Sequence, residues 1–545
     1  MLRVRWVGRV AYREALELQT ALFENGSESH LLLLEHPHVF TYGPRAELDK
    51  NLRCDPAALG ADFVAVKRGG DITYHGPGQL VGYPILNIEN AIGASQHVCE
   101  VEQLVIDTLR EIGVDGVGRM EGYAGVWLDV GTDRVRKISA IGVRLAHGRT
   151  MHGFALNIDP DMTFMREHIV PCGIADLPVT SLREEGFDVD MKTVVDIVAR
   201  LAAEKWGQGA CERQDVVWVH RPEDLSRFSR GEGPGEPVRL LGRLADAGVN
   251  AGLEIADRKP EWLRPRVKIG EDVLRIKRTL ADLDLVTVCE EAGCPNLSEC
   301  WKDGTATFMV LGERCTRACG FCLVDTRKPE PPAMDEPARV AEAVERMGLS
   351  YAVLTMVARD DLSDGGFAHV AECVRAIRER NPHTRVETLV SDAKGDASSI
   401  DSLVVARPDV FNHNIETVAR LQRAVRPSAG YARSLGVLAH AKLAGLVVKS
   451  GLVLGMGETV EEVDGCLADL AGVGVDIVTI GQYLRPTSYH LPVARWIHPD
   501  EFARWKSVGE SLGIGHVESS PLTRSSYHAK QAAQTTVPVS LVVRR

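Results

Sequence analysis

The sequence predicts an α/β protein with two domains in series. A mixed α/β domain is followed by about six βα units, which suit either an incomplete barrel or an open parallel sheet. Three observations carry this. The chain has 545 residues, too many for one ordinary core. A charged Gly/Pro-rich stretch, "RGEGPGEP" at 230–237, interrupts it with nothing apolar to anchor it. Beyond that seam, short apolar runs alternate with helical patterns, the signature of parallel strands joined by helices.

Taken in order, the first half mixes strands such as "SHLLLLEH" (29–36) with Gly-rich turns and one strong helix, "SQHVCEVEQLVIDTLREIG" (95–113). The seam lies near residues 228–238, giving a first domain over 1–225, a linker over 226–258 and a second domain over 259–545. The six strands expected in the second domain are 306–312, 351–357, 385–390, 409–415, 447–455 and 476–482. Helices such as "HVAECVRAIRER" and "TVEEVDGCLADLAG" lie between them. Asn412, His413, Asn414, Lys449 and Gln482 are read as polar strand tips, where α/β folds place ligands.

Net charge is −12, which argues against a nucleic-acid binder. The one basic stretch, "RVRKISAIGVRLAHGR" (134–149), reads either as a solvated strand and turn or as a docking patch for an acidic carrier protein. No apolar run approaches the ~20 residues of a membrane span. The opening "MLRVRWVGRVAYREALELQ" is too charged for a secretory signal. These features predict a cytoplasmic protein without membrane partners, in a reducing compartment where clustered thiols bind metal more often than they pair.

Half of the twelve cysteines fall between positions 289 and 322. Cys289, Cys294 and Cys300 have the spacing C-x4-C-x5-C; Cys315, Cys319 and Cys322 have C-x3-C-x2-C. Zinc is one reading, but zinc knuckles come as paired CxxC motifs, and here there is one CxxC and each group has three thiols. Iron–sulfur clusters also take thiolates, and three on a four-iron cluster leave one iron open to a substrate or cofactor. Cys373 and Cys466 sit in helical patterns and read as core thiols.

The C-x3-C-x2-C triplet, with Phe321 before its last cysteine, resembles the radical S-adenosylmethionine superfamily. "TVCEEAGCPNLSECW", "KPEWLR", "GERCTRACGFC", "RDDLSDGG", "FNHNIETV", "KSGLVLGMGE", "TIGQYLRPT" and "RSSYHA" resemble lipoyl synthase over residues 259–530. The resemblance implies a partial (β/α)6 barrel, two 4Fe-4S clusters and S-adenosylmethionine. Cys315, Cys319 and Cys322 would hold the cluster that cleaves S-adenosylmethionine to a radical. Cys289, Cys294 and Cys300, with Ser526 as fourth ligand (Ser525 being the weaker candidate), would hold a second cluster that donates sulfur. Two sulfur atoms would enter a protein-bound octanoyl chain at C6 and C8. The chain departs from the family at Ala358, where Asp is usual, and at Ser391 and Ala393, which flank Asp392 in place of Pro and Phe.

Upstream, Cys172 lies in "VPCGIADLPVTSL", between Pro and Gly; from position alone, the buried small hydrophobe is the better reading. Cys54, Cys99 and Cys211 have no polar constellation and read as structural. "KRGGDITYHGPGQLVGYPI" (67–85) is Gly-rich, with His75 and Gln79 expected exposed on turns. "RKISAIGVRL" carries Lys137, and "MHGFALNID" carries His152 and Asn157. A cysteine nucleophile needs such a neighbouring cation or base.

These segments together resemble the lipoyl(octanoyl) transferase family, also called lipoate–protein ligase B, over residues 1–220, with a fold like biotin–protein ligases. The resemblance implies that Cys172 takes octanoyl from octanoyl-acyl carrier protein as a thioester, that Lys137 activates the thiol and that His75 positions the reacting groups. A lipoyl-domain lysine would then take the acyl group as an amide, without ATP. Three segments would contact substrate: Arg68, Gly69, Gly70, Asp71, Ile72, Thr73 and Tyr74; Ala140, Ile141 and Gly142; Gly153, Phe154 and Ala155. The two halves would catalyse consecutive steps. Expected partners are lipoyl domains of 2-oxoacid dehydrogenases, the glycine cleavage H protein, and a ferredoxin or flavodoxin as electron donor. The alternative is that only the synthase half is active, with the first half a lipoyl-domain docking module.

Overall fold

The structure is a computed structural model describing residues 1–26, 28–88, 93–174, 176–218, 243–250, 252–253, 255, 257–264, 271–287 and 296–536. It divides into two compact units, Met1–Trp218 and Val219–Arg545. No helix among the described residues is long and apolar enough to cross a membrane.

The first unit contains strands β1 (Leu2–Arg9), β2 (Ser29–Glu35), β3 (Val39–Tyr42), β4 (Asp62–Ala65), β5 (Thr73–His75), β6 (Gln79–Ile85), β7 (Val117–Met120), β8 (Tyr123–Leu128), β9 (Arg136–Ala146), β10 (Arg149–Asn157) and β11 (Cys211–Asp215). Eight form one mixed sheet in the order β11-β1-β2-β6-β10-β9-β8-β7; β4-β3-β5 form a small second sheet. The expected helix runs from Ala94 to Ile112 and ends at Gly113, whose φ of +97° suits glycine. Its Val101, Leu104, Val105 and Leu109 join Leu31 and Leu33 of β2 in the main core, with Val194, Val195 and Val198 of helix Met191–Trp206. Leu32 and Leu34, one residue out of phase, face the other way. A second core under the small sheet gathers Phe40, Ile72, Tyr74, Met162, Met165, Ile169 and Val179.

The second unit contains β12 (Val286–Thr287), β13 (Thr305–Val310), β14 (Tyr351–Met356), β15 (Arg385–Leu389), β16 (Val410–Asn412), β17 (Val448–Leu454), β18 (Ile477–Gln482) and β19 (His516–Ser519). Strand order is sequential, and β13 to β19 are all parallel. Sequential parallel order with right-handed crossovers places the helices on one side and curls the sheet towards a barrel. The helices between strands are Glu336–Met347, Phe367–Arg380, Ala397–Ala406, Tyr431–Leu443, Val460–Gly472 and Pro499–Ser511. No pairing among described residues joins β12 to β19, so the barrel is open. The six expected strands are β13–β18. A seventh parallel strand, β19, and the antiparallel edge strand β12 extend them.

Several local expectations are corrected. Lys449 is the second residue of β17, not its tip. It is fully buried, with its ammonium 3.0 Å from Glu387, which also accepts from Tyr351 and Asn412. His413 and Gln482 do stand at strand ends but are engaged by the fold: His413 bonds Val390 and Ser434, while Gln482 donates to Leu454 and accepts from Ile497. His75 and Gln79 lie on strands and are buried; the Gly-rich segment between them is a tight turn, closed by Gln79 N–H on Gly76 O, that passes the chain from the small sheet to the large one. Cys99 and Cys211 are exposed rather than structural, whereas Cys373 and Cys466 are core thiols. The basic stretch is not a free cationic surface. Arg134 and Arg136 pair with Asp129, Arg136 also with Glu185, and Arg149 is buried against the Leu22 and Glu28 carbonyls. Within the stretch expected to be linker, residues 243–250 and 252–253 rest on the second unit. Leu253 N–H donates to Val493 O at 2.7 Å, and Arg420 donates to Ala247 O.

Burial holds several histidines of the first unit neutral; His97 is pushed down to about 4 by burial, with neither ring nitrogen hydrogen-bonded within the described protein. A folded-state value below the ordinary 6.5 means that the unfolded chain binds the proton first, so stability falls as pH drops from 6.5 towards 4. His97→Leu removes this term and an unpaired polar group. Its advantage over the native chain in thermal unfolding should be larger at pH 5 than at pH 8, by about 2 kcal/mol. An equal difference at both pH values would contradict the burial argument.

Candidate functional site

In the first unit, the Lys137 Nζ lies 3.7 Å from the Cys172 Sγ. Two features create this contact. Cys172 occupies a turn, Pro171–Gly173, with φ +58°, a left-handed conformation costly for a residue with a side chain. Its N–H donates to Ile72 O at 2.9 Å, tying the turn to the start of β5. Lys137 is held by the segment that follows the turn: its N–H donates to Pro178 O and its carbonyl accepts from Thr180, both at 2.9 Å. Lys137 is 5% exposed, so the amine is set in a nearly closed wall.

His75 does not bond to either member of this pair among the described residues. Its Nδ1 donates to Gln79 Oε1 at 2.7 Å, Gln79 donates to Asn157 Oδ1 at 2.9 Å, and Asn157 donates to Thr180 O at 2.9 Å. The terminal carbonyl fixes the direction of the relay and leaves His75 Nε2 as the acceptor nitrogen. Burial first, then the neighbouring His36, pushes His75 down to about 3, so its ring is neutral near pH 7. Sequence reading found His75 but missed the reason for its orientation, which is carried by Gln79 and Asn157.

The expected substrate segments converge. Gly142, Ile141 and Ala140 of β9 pair across the sheet with Gly153, Phe154 and Ala155 of β10. A side chain on Gly142 would lie 3.2 Å from Arg68 Cδ and Gly69 O, and Gly69 N–H donates to Val143 O. Arg68 donates to Thr41 and to the carbonyls of Gly69 and Asp71. Burial pushes its guanidinium down, opposed by charges on Tyr12, Cys172, Tyr83 and Asp71. Gly70 takes φ +87°, and Asp71 accepts from Ile72 N and Asn51. Thr73 pairs with Thr41, while the side chains of Ile72, Tyr74 and Phe154 belong to the cores.

In the second unit, Cys315, Cys319 and Cys322 lie on the loop after β13, at the C-terminal end of the parallel sheet. Cys315 Sγ accepts from the N–H groups of Arg317 and Ala358 at 3.4 and 3.3 Å. Burial pushes all three thiols up, Cys319 to about 11, and neighbouring thiols add to this for Cys319 and Cys322. Buried thiols of this kind keep their protons near neutral pH, and a bound metal would displace them. Among the described residues no three His, Cys, Asp or Glu side chains converge on a single ion. A soft three-thiol set on a loop receiving amide donors fits the wider footprint of an iron–sulfide cube.

The loop is pinned from several sides. Arg317 forms a two-pronged pair with Asp360 at 2.8 Å and reaches Asp392 at 2.6 Å. Asp392 is fully buried; burial would raise it, but Arg317 holds it well below the carboxylate range. Thr316 donates to the Ala358 carbonyl from both its N–H and its hydroxyl. Gly320 N–H donates to Val425 O, its carbonyl accepts from Leu491, and His490 donates to Cys322 O. A Cβ on Gly320 would lie 2.5 Å from Leu491. The departures Ala358 and Ser391 thus border this clamp, while the paired Asp392 is kept.

Cys289 and Cys294 lie outside the described residues. Cys300 and Ser526 line one cavity of about 320 Å³, with Glu299, Asp303, Tyr527 and His528. Helix Leu297–Lys302 carries Cys300, and residues 527–531 rest on it: Tyr527 donates to Glu299, and Gln531 to Asp303.

Residues 11–202 match the lipoyl protein ligase A/B catalytic domain, 246–294 the N-terminal domain of lipoyl synthase, and 309–470 the radical SAM superfamily. The lipoyl synthase of Rubrobacter xylanophilus is 54% identical over 278 residues, 51% of this chain and 87% of its own. That of Mycobacterium ulcerans is 52% identical over 291 residues, 53% of this chain and 89% of its own. The chloroplastic lipoyl synthase 2 of Populus trichocarpa is 50% identical over 291 residues, 52% and 73% of the two chains. A bipartite lipoate protein ligase of Thermoplasma acidophilum superposes on 40% of this chain and 87% of its own, with TM-score 0.34 and 16% identity. The chain belongs to the lipoyl synthase family and carries, ahead of the synthase, a lipoyl protein ligase A/B catalytic domain.

Proposed function

We propose that this fused lipoate biosynthesis enzyme performs both steps of making protein-bound lipoate. The observation that carries the first step is the 3.7 Å contact between Lys137 and Cys172. The Cys172 thiolate, favoured by the adjacent ammonium, attacks the thioester of octanoyl-acyl carrier protein, and the carrier thiol leaves with a proton. The ε-amine of a lipoyl-domain lysine then attacks the Cys172 thioester. An amide forms, the Cys172 sulfur leaves as thiolate, and Lys137 is placed to exchange the released proton. Thioester exchange is nearly balanced and amide formation is downhill, so no ATP enters. The neutral His75 ring presents an acceptor nitrogen, fixed by its relay to Thr180, and orients the reacting groups. The Arg68–Tyr74 loop and the paired strand segments 140–142 and 153–155 line the approach.

For the second step, Cys315, Cys319 and Cys322 would hold a 4Fe-4S cluster, and Cys300 and Ser526, with Cys289 and Cys294, a second one. With S-adenosylmethionine bound, this set supplies a carbon-directed radical and the sulfur inserted at C6 and C8 of the octanoyl chain. The chain's own residues position it: Arg317, Asp360 and Asp392 hold the triplet loop, and Leu491 and His490 cover it. Electrons would come from a ferredoxin or flavodoxin, and the octanoyl chain would arrive on lipoyl domains such as those of 2-oxoacid dehydrogenases or the glycine cleavage H protein. The Cys172–Lys137 contact, which a docking module would not need, weighs against the first unit being only a docking module.

Two experiments test this. Anaerobic incubation with octanoyl-acyl carrier protein, apo lipoyl domain, S-adenosylmethionine and reductant, read by intact mass, should show octanoylation and then gain of two sulfurs. Cys172→Ser should slow the first on the order of 10³-fold or more while leaving conversion of pre-octanoylated domain intact; transfer by that variant at the native rate would remove Cys172 from the reaction. Separately, Asp392→Asn removes one of the two carboxylates that hold Arg317 and should cost the second unit about 1.5–3 kcal/mol in thermal unfolding. An unchanged transition would show that the Arg317–Asp392 contact contributes nothing.

A further inference from the structure

Lys137 is an unusual lysine. A buried ammonium normally has a carboxylate partner, yet among the described residues none lies within ion-pair distance of its Nζ. Its polar contact is the Cys172 thiol. The amine also stands over the Trp127 ring, 4.8 Å from its centre. Trp127 is 1% exposed, and its indole N–H donates to Tyr123 O at 3.1 Å, which fixes the ring.

The backbone builds this arrangement. Trp127 and Lys137 are direct cross-strand partners on β8 and β9, whereas the next pair is Val126 and Ser139. Two residues of β9 therefore oppose one of β8: a bulge at Ile138, which re-aims the side chain beside it. Ile138 and Ser139 are fully buried. Gly125 clears the path. With φ +135°, it would place a Cβ 2.7 Å from Lys137 Cε and 2.6 Å from Ser139 O. Its N–H is held by Glu102 at 3.0 Å, whose other oxygen takes Arg119 at 2.9 Å.

We propose that Trp127 is a positioning residue for acyl transfer: its ring face holds the Lys137 amine in reach of the Cys172 sulfur, in the place a carboxylate would otherwise take. The choice of partner has a chemical consequence. A carboxylate would pair with the ammonium permanently and compete with the thiolate for it. An aromatic face attracts a cation through its quadrupole and carries no charge of its own. It stabilises Lys137 while leaving its N–H groups to the sulfur. The bulge at Ile138 and the bare backbone of Gly125 serve this grouping of ring, ammonium and sulfur. The inference deepens the Cys172–Lys137 reading and rests on it.

The test is the rate at which iodoacetamide alkylates Cys172 in the anaerobic full-length chain at pH 7, read by mass on the peptide that carries it. Lys137→Gln should slow alkylation; if it does not, the pair itself is wrong. Trp127→Leu should slow it roughly tenfold, the scale of a desolvated cation–aromatic contact, and Trp127→Phe, a weaker ring, should fall between. In a Lys137→Gln background, Trp127→Leu should have no further effect. If Lys137→Gln slows alkylation and Trp127→Leu does not, the pair stands and the role of Trp127 is overturned. If the Leu substitution slows alkylation equally in both backgrounds, Trp127 is merely structural and the proposal also falls. Should Trp127→Leu fail to melt cooperatively, Trp127→Phe decides alone: an intermediate rate supports the proposal, and the native rate overturns it.

Discussion

The approach of the Lys137 amine to the Cys172 thiol depends on backbone rather than on side-chain packing. Cys172 sits where a residue with a Cβ is strained by about 1–3 kcal/mol, and it is held there by its own N–H on Ile72 O and by the preceding Val170 N–H on Asn51 O. The 178–180 segment grips both main-chain groups of Lys137 and receives the end of the His75 relay. Two functional residues from distant parts of the sequence, Lys137 and His75, are thus referred to one short stretch of chain. A shift there moves both together, which preserves their mutual spacing.

The second unit solves a similar problem with charge. A loop bearing three thiols has little apolar surface with which to fix itself. It is held by an arginine reaching two carboxylates on the next two strand-end loops, and by main-chain bonds from Val425 and Leu491. Sequential parallel topology makes this possible, since it brings the ends of β13, β14 and β15 side by side. Ala358 and Ser391 lie within this arrangement. Their small size changes the loop's border, not its anchor, because Arg317, Asp360 and Asp392 are all present.

Much of this was legible in the sequence. The six strands of the second unit were, because a strand buried on both faces reads as a continuous apolar run, and each is bounded by a helix of different period. The position of Cys315, Cys319 and Cys322 on the loop after the first parallel strand was legible too, since the triplet directly follows an apolar run. What failed was exposure. His75 and Gln79 sit in a segment so rich in glycine that it reads as open turn, yet the glycines there allow close strand approach, as Gly82 against Phe154 illustrates. Lys449 sits near the start of its strand, and its burial depends on Glu387, sixty-two positions away, which no local pattern reveals. The bulge at Ile138 was likewise invisible, since a register shift is a property of two strands and β9 alone shows only apolar residues beside a lysine.

The strap formed by residues 243–250 and 252–253 carries one more consequence. Besides the bonds made by Leu253 and Arg420, Val249 fills the space over Gly457, where a Cβ would come within 2.4 Å of it. Gly252 lies flat against Pro492, with room for no side chain between them. Pro492 and Val493 directly follow the Leu491 that bonds the cysteine loop. Anyone dividing the gene to express the synthase by itself should cut upstream of position 243; a cut at 258 would bare an apolar seam and unbrace the segment covering the thiols.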